Sequence, residues 1–158
     1  MTPFRFAFTL TLLAALLPAT ALAGGDWNDG EIAWLSYEDG LKSAEQSGKP
    51  VCLVFYTDWC PHCTAYAKVF HDAKVVERSK AFVMVRLNKD QNKSLSDMYA
   101  PDGDYIPRTY FLAPNGELDA TLQTPRERFK YFYHESDPAS ILDGMQRALA
   151  KLAPPQGD

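Results

Sequence analysis

The chain has 158 residues, and its 20 acidic side chains outnumber its 16 Lys and Arg side chains, so the formal net charge at pH 7 is −4. This mild acidity argues against a nucleic-acid-binding surface, which needs a basic patch. Hydrophobic residues make up 46% of the chain, and the length predicts one domain with one core.

The amino-terminal segment has the features of a signal peptide. Arg5 is its only charge, an apolar run follows from Phe6 to Leu17, and Ala21-Leu22-Ala23 matches the small-x-small pattern that signal peptidase recognises. The run of about 12 residues is shorter than the ~20 that a membrane-spanning helix needs. We therefore expect cleavage before Gly24 and no stable membrane insertion afterwards.

Cleavage would leave a mature chain of 135 residues (158 less 23). Export would bring this chain to a compartment where disulfides form and persist. The carboxy terminus has no endoplasmic-reticulum retention tetrapeptide, so we expect the bacterial periplasm, with simple secretion as the alternative. The predicted organisation is a signal peptide over 1–23, a flexible arm over 24–30, one domain over 31–153 and a tail over 154–158.

A capped helix and a buried strand are predicted at the start of the domain. Ser36 with Asp39 resembles a capping box, and Gly48 marks the end of the helix. The run Val51–Tyr56 is rich in β-branched and aromatic residues and has the length of a buried strand.

A helix and a second strand follow. The sequence predicts a helix from Cys60 toward His71, and Asp72 is placed to cap a further short helix. Phe82–Leu87 is the next predicted strand. Strand, helix and strand in this order imply a right-handed crossover and a parallel pair of strands.

The second half of the domain contains another pair of predicted strands. A short helical segment over Leu95–Tyr99 precedes a strand over Thr109–Leu112. The turn Pro114–Gly116 then predicts that Glu117–Leu122 returns as the antiparallel partner. An aromatic-rich connection over 124–136 follows.

A closing helix is predicted at the end of the domain. Asp137 is its cap, and Pro138 suits the first helical position. Six residues mark one apolar face of this helix: Ile141, Leu142, Met145, Ala148, Leu149 and Leu152. The elements together predict a single α/β domain with a mixed central sheet flanked by helices.

The residues Trp59-Cys60-Pro61-His62-Cys63 join the first predicted strand to its helix. Unpaired N–H groups and the helix dipole favour a thiolate at Cys60. Pro61 is tolerated early in the helix, and a protonated His62 would add positive charge near the sulfur. We therefore predict Cys60 as the nucleophile, Cys63 as the resolving thiol, and the disulfide between them in place of any separate cofactor.

Cys52 leaves an odd number of cysteines for an exported chain. A third redox or metal-binding thiol is one interpretation. We favour the other, a small apolar side chain buried in the central strand, because free buried cysteine is common.

The Cys-x-x-Cys between strand and helix, with an isolated proline opening a later strand, resembles the thioredoxin family. Four segments are similar to its small secretory-pathway members, the group of thioredoxin domain-containing protein twelve and the anterior-gradient proteins: Asp39–Pro50, Phe82–Leu87, Ala100–Glu117 and Lys130–Met145. The resemblance implies a thioredoxin-like fold and a cis peptide bond before Pro107.

The resemblance also implies how a client would bind. Ile106 would present its main chain to a client peptide beside the dithiol, next to Pro107. Trp59 would line the same groove, although a simple packing role is the alternative. For Arg108, just past the proline, we expect a surface salt bridge.

Two departures from the family pattern bear on the chemistry. The pair Pro61-His62 resembles the bacterial oxidant DsbA, and a stabilised thiolate makes a dithiol more oxidising; potentials run from about −270 mV in thioredoxin to about −120 mV in DsbA. Val54 stands where thioredoxin and DsbA carry a buried carboxylate. Proton removal from Cys63 is then left to water or another group.

The leading hypothesis is an exported thiol–disulfide oxidoreductase on the oxidising side. It would act on client proteins with cysteines or disulfides, and a redox partner would recycle it. One alternative is a Cu(I)- or Zn²⁺-binding thiol protein that uses Cys60, His62, Cys63 and His71. The other is a client-binding module with little turnover, in which Phe129–Tyr133 forms the client surface, although such a cluster is more often a satellite core.

Overall fold

The computed structural model describes residues 25–153, and a four-stranded sheet lies at its centre. The strands are β1 (Trp34–Leu35), β2 (Val51–Tyr56), β3 (Val83–Asn88) and β4 (Arg108–Leu112). Their order is β1-β3-β2-β4; β3 is parallel to β1 and β2, and β4 is antiparallel to β2. This mixed sheet confirms the predicted fold class, with β3 beginning one residue later than predicted.

Five α-helices flank the sheet within the described residues: α1 (Tyr37–Ser47), α2 (Pro61–Ala67), α3 (Ala73–Ser79), α4 (Lys93–Met98) and α5 (Pro138–Leu152). A 3₁₀ turn, Lys68–His71, continues α2, so the helical stretch predicted from Cys60 toward His71 is confirmed in extent. Across residues 25–153, none of the helices has the length and apolar character that crossing a membrane requires.

The strand β2 has a core on each face because its side chains alternate and both sides are covered. Cys52 and Val54 pack on one face, in a cluster that includes residues of α2, α3 and α5. Leu53 and Phe55 pack on the other, in a cluster that includes Ala44 of α1. The carboxyl end of this doubly covered strand positions the cysteine motif.

The predicted helix caps are present. Ser36 Oγ accepts a hydrogen bond from the Asp39 N–H at 3.2 Å, and Gly48 ends α1 with φ +70°. Asp72 accepts from Lys74 N–H, and Asp137 accepts from Ala139 N–H, both at 2.9 Å. Each cap satisfies donors that the first helical turn leaves unpaired.

The prediction of a strand over Glu117–Leu122 is wrong. The turn at Gly116 is present, with φ +85°, but only an isolated bridge between Leu112 and Leu118 follows it. Asp119 explains the difference, because its carboxylate accepts from the Thr121 N–H at 3.0 Å and its carbonyl accepts from the Leu122 N–H at 3.2 Å. These bonds fold the chain into a turn where a strand would continue.

The prediction of a flexible arm over 24–30 is also wrong for the part that the structure describes. Trp27 is 1% exposed and packs its ring 5.2 Å from that of Tyr56 and 5.5 Å from that of Phe70, between centroids. Asn28 Nδ2 donates to the Phe70 carbonyl at 3.0 Å. Burial of a large aromatic ring offsets the entropy of ordering this segment. The predicted signal peptide, Gly24 and the tail 154–158 lie outside the described residues.

The aromatic connection over 124–136 contains no helix or strand, in agreement with the prediction. Tyr131 and Tyr133 are both 1% exposed and contribute to the two cores, while Phe129 is 43% exposed. Thr109 N–H donates to the Tyr131 carbonyl at 2.9 Å, so this connection covers the outer edge of β4. The aromatic residues of this connection therefore belong mainly to the core, which is the interpretation that we favoured from the sequence.

Candidate active site

The two cysteines of the motif lie at the start of α2. Cys60 is the N-cap residue, and its Sγ accepts a hydrogen bond from the Cys63 N–H at 3.3 Å. Cys60 is 4% exposed and Cys63 is fully buried, and both are free thiols. The less buried of the two cysteines is thus the one at the start of the helix, where a main-chain N–H donates to its sulfur. This geometry suits attack by Cys60 and resolution by Cys63.

Cys63 occupies an environment that keeps it protonated. Burial is the largest effect that raises the pKa of its thiol, and the hydrogen bond with Cys60 raises it further. The main-chain N–H of Thr57 lowers that pKa, while the negative charge of Glu135 raises it. Val54 is fully buried, so β2 has an apolar side chain at the position where thioredoxin and DsbA carry a carboxylate.

Cys52 is fully buried in the same core cluster as the dithiol. Burial raises the pKa of its thiol far above the ordinary value, so it stays a neutral thiol. The prediction of a buried, apolar cysteine is confirmed.

His62 faces a carboxylate that comes from a distant part of the chain. Its Nδ1 lies 2.7 Å from Glu135 Oε2, and its ring lies edge-on to that of Phe132 at 6.1 Å between centroids. From the sequence we expected only a positive charge here, because Glu135 stands 73 positions later and no local signal connects it to His62. The Coulomb effect of an imidazolium on the dithiol is therefore partly opposed by a carboxylate.

Trp59 extends from the motif into solvent. Its side chain is 71% exposed, which excludes the packing role that the sequence left open. Its Nε1 donates to Asp90 Oδ2 at 2.8 Å, and the Asp90 N–H donates to the side chain of Asn88 at 3.0 Å. The indole is thus an exposed aromatic surface with a fixed orientation, and Asp90 is a second residue that sequence reasoning missed.

Ile106 and Pro107 are joined by a cis peptide bond, as the family resemblance implied. Ile106 is half-buried and packs against the cluster that contains Cys60 and Cys63. Its N–H and C=O make no hydrogen bond within residues 25–153. The main chain of Ile106, at the core cluster that contains the dithiol, is thus free to pair with another strand.

The salt bridge predicted for Arg108 is present, with Asp104 Oδ1 at 3.4 Å from Nη2, but its predicted place at the surface is wrong, because the Arg108 side chain is fully buried. The guanidinium donates to Gly103 O and to Ser96 O and Oγ, and it lies over the ring of Phe55 at 5.2 Å from the centroid. Charged side chains are mostly exposed, and no local signal in the sequence marks this one as buried.

The histidines considered as metal ligands do not gather at the dithiol. His71 Nε2 lies 3.0 Å from the carbonyl oxygen of Asp26, and His62 faces Glu135. In the part of the chain that the structure describes, no three His, Cys, Asp or Glu side chains are grouped so as to hold a metal ion.

Comparison with known proteins places this geometry in a family. The sequence model of the thioredoxin-like family matches residues 33–114. The anterior gradient protein 2 homolog of Homo sapiens is 34% identical over 138 residues, which span 86% of this chain and 75% of that protein. A thioredoxin from Thermus thermophilus superposes with a TM-score of 0.61 at 23% identity, covering 77% of this chain and 89% of that one. A disulphide isomerase from Xylella fastidiosa Temecula1 superposes with a TM-score of 0.54 at 22% identity, covering 86% of this chain and 98% of that one.

Proposed function

We infer a function from the family: this chain belongs to the thioredoxin-like family of thiol–disulfide oxidoreductases and is a homologue of the anterior gradient proteins. We propose that it is an exported enzyme that exchanges disulfides with client proteins on the oxidising side. The observation that carries the proposal is the Cys60 sulfur at the start of α2, which accepts the Cys63 N–H while Cys63 is buried behind it. In this arrangement the two thiols have different roles.

The reaction begins with the Cys60–Cys63 disulfide. A client thiolate attacks Cys60 Sγ, which forms a mixed disulfide and expels Cys63 as a thiolate that takes up a proton. A second client thiolate then attacks the client sulfur of the mixed disulfide, forms the client disulfide and releases Cys60 as a thiolate. The client loses two electrons and the enzyme gains them, which yields the dithiol form. A partner disulfide takes these electrons back by the same exchange.

Roles follow for the residues around the dithiol. Pro61 has no main-chain N–H, so the first helical turn has one fewer donor that needs a partner. His62 changes the charge near Cys60. The unpaired main chain of Ile106, next to Pro107, would pair with the client strand, and the exposed indole of Trp59 would contact client side chains. The oxidising direction rests on stabilisation of the Cys60 thiolate, which favours the reduced enzyme.

The test has two parts on the purified mature protein. In glutathione buffers we expect a reduction potential between about −270 and −120 mV and nearer the upper value. With a client protein that carries a disulfide, the Cys60 thiolate of Cys63→Ala should attack that disulfide, expel one client sulfur as a thiolate and accumulate a mixed disulfide, because no second enzyme thiol resolves it. Cys60→Ala should form none, and Cys52→Ala should act like the parent. If a chain that lacks both Cys60 and Cys63 retains the full effect on the client, the redox function is refuted and the protein is a passive binder.

The location of the protein is a further part of the proposal. The apolar run and the Ala21-Leu22-Ala23 pattern support export with removal of residues 1–23, and we favour the periplasm over simple secretion. Expression in a Gram-negative host should then yield a periplasmic product whose first residue is Gly24. A product in the cytoplasm with an intact Arg5 segment would contradict export.

A further inference from the structure

The segment that leads into Ile106 is tied down by two side chains from opposite sides. We call residues 100–106 the approach loop; it connects α4 to β4 and contains no helix or strand. Connecting loops are generally more mobile than the elements they join, and fixing their main chain has an entropic cost. Here, however, Arg108 and Tyr105 hold it by hydrogen bonds.

Arg108 holds the loop from the interior. Nη1 donates to the Gly103 carbonyl at 3.1 Å, and Nη2 donates to the carbonyl and hydroxyl oxygens of Ser96 in α4. The same Nη2 lies 3.4 Å from Asp104 Oδ1, and Lys89 pairs with the other oxygen of that carboxylate at 2.6 Å. One planar group therefore joins the middle of the approach loop to the helix before it.

The burial of this guanidinium is informative in itself. Moving a charge out of water is costly unless it is fully paired, and Arg108 is 0% exposed. Its Nε has no hydrogen-bond partner within residues 25–153, so the pairing is incomplete. An apolar side chain would fill this position in β4 at less cost. What the arginine adds is a set of directed bonds, several of which end on the approach loop.

Tyr105 holds the loop from the outside. Its hydroxyl donates to the Asp102 carboxylate at 2.8 Å and accepts from the Tyr131 N–H at 2.9 Å. Asp102 in turn accepts from the Lys130 N–H at 2.6 Å. Burial raises the pKa of Tyr105, so the phenol stays protonated and remains a donor. The hydroxyl thus joins the approach loop to the aromatic connection over 124–136.

We propose that Arg108 and Tyr105 are positioning residues that hold the unpaired main chain of Ile106 in place for the client strand. The inference rests on the proposed function, since it assumes that Ile106 pairs with a client. A strand added to an existing edge gains its affinity from main-chain hydrogen bonds, so the donor and acceptor must stand at fixed positions. Loss of either tie should weaken exchange with peptides and leave the chemistry of the dithiol intact.

The test compares two substrates on the same variants. Tyr105→Phe removes one hydroxyl, Arg108→Lys keeps the charge without the planar fork, and Arg147→Lys and Tyr133→Phe are matched controls elsewhere in the fold. Rate constants for thiol–disulfide exchange are measured with glutathione, which is too small to pair as a strand, and with a ten-residue cysteine peptide. We expect the peptide rate to fall about tenfold in both test variants, with the glutathione rate changed by less than about twofold.

An N-methylated peptide series identifies the main-chain contact. Each peptide N–H around the cysteine is methylated in turn, and methylation at one position should lower the rate of exchange with the parent enzyme. With the peptide methylated at that position, Tyr105→Phe should lower the rate little further, because both changes remove the same interaction. Tyr105→Phe is a mild change, so it keeps the test valid even if Arg108→Lys fails to fold by circular dichroism.

The outcomes separate the two proposals. If the parent enzyme exchanges with neither substrate, the proposed function fails. If the parent exchanges with both and Tyr105→Phe slows neither or both equally, the positioning role is overturned while the proposed function stands. A peptide-specific loss that N-methylation does not share would also overturn it, since the main chain of Ile106 would then not be the contact.

Discussion

Glu135 holds His62 of the cysteine motif, with 2.7 Å between Oε2 of the carboxylate and Nδ1 of the ring. The Glu135 side chain is 25% exposed, whereas that of His62 is 61% exposed. A partly buried negative charge at this place opposes a second negative charge on the dithiol. The charge that acts on the dithiol therefore depends on Glu135 as well as on His62.

Replacement of Glu135 by Gln should lower the pKa of the Cys63 thiol. Burial is the larger cause of the raised value and is unchanged by the substitution, but the charge of Glu135 also raises it. The substitution keeps the size of the side chain and removes one negative charge near the sulfur. The measurement is the rate of alkylation at Cys63 as a function of pH in a Cys60→Ser background. Its pH profile should shift to lower pH, and the rate at a fixed pH should rise about two- to tenfold.

Glu127→Gln is the matched control for this experiment, because Glu127 lies exposed in the same connection. It should leave the pH profile of Cys63 in place. A profile unmoved by Glu135→Gln would mean that the carboxylate acts on His62 alone and has no electrostatic effect on the buried sulfur.

Thr57→Val should leave the stability unchanged or increase it by up to about 1 kcal/mol. The Thr57 hydroxyl is buried and has no hydrogen-bond partner within residues 25–153, so the folded state gains nothing from it. The main-chain N–H that reaches Cys63 is retained. The measurement is the free energy of unfolding in urea.

Thr109→Val makes the same chemical change where the hydroxyl is bonded. Thr109 Oγ1 and the buried Tyr66 hydroxyl lie 2.9 Å apart, and removal of one leaves the other unpaired. A loss of about 1–3 kcal/mol is expected there. If Thr57→Val cost as much as Thr109→Val, the Thr57 hydroxyl would have to be satisfied in solution, for instance by a buried water.

The parts of the fold that local sequence signals specify were predicted well. The strand β2, the capping residues Ser36, Asp72 and Asp137, and the Cys-x-x-Cys at the start of α2 each depend on residues within one or two turns of one another. Propensity, capping and periodicity act over that distance. The strand–helix–strand order then led to the parallel pairing of β2 with β3.

The features that were missed depend on contacts between distant parts of the chain. Glu135 meets His62, and the Arg108 guanidinium lies over the ring of Phe55, across separations that no periodicity encodes. Trp27 was assigned to a loose arm because its neighbours are Gly, Asp and Asn, yet its ring fills a space that only the folded domain creates. Tertiary packing overrides local composition at these positions.

Trp27→Ala should destabilise the domain by about 3–5 kcal/mol, the usual cost of removing a buried aromatic ring from a core. The ring contacts those of Trp34, Tyr56 and Phe70, so its loss opens a cavity beside β1 and α2. A chain that begins at residue 31 should show a similar loss. Thermal unfolding of both proteins gives the comparison, with Trp59→Ala as the exposed control, expected to change stability by less than about 0.5 kcal/mol. Equal melting temperatures for the parent and the shortened chain would mean that the residues before position 31 do not stabilise the domain, as the prediction of a flexible arm implied.

Gly40→Ala should destabilise the protein, although alanine is favoured over glycine inside a helix by about 1 kcal/mol. Gly40 is buried in α1, and a Cβ added there would overlap Cγ2 of Val85 on β3. Overpacking of this kind costs about 1–3 kcal/mol and forces the helix away from the sheet. Gly30→Ala is the control, since an added Cβ at that position meets nothing within 4 Å.

The companion substitution Val85→Ala tests the cause of this loss. Alone it should be destabilising because it leaves a cavity, but combined with Gly40→Ala it should cost less than the sum of the two single changes, since the new methyl group occupies the space that Val85 vacated. Urea unfolding of the four proteins in this cycle gives the coupling energy. A coupling energy near zero would mean that α1 shifts to accept the methyl group, and the close approach of α1 to β3 would then be a consequence of the glycine and not a requirement of the fold.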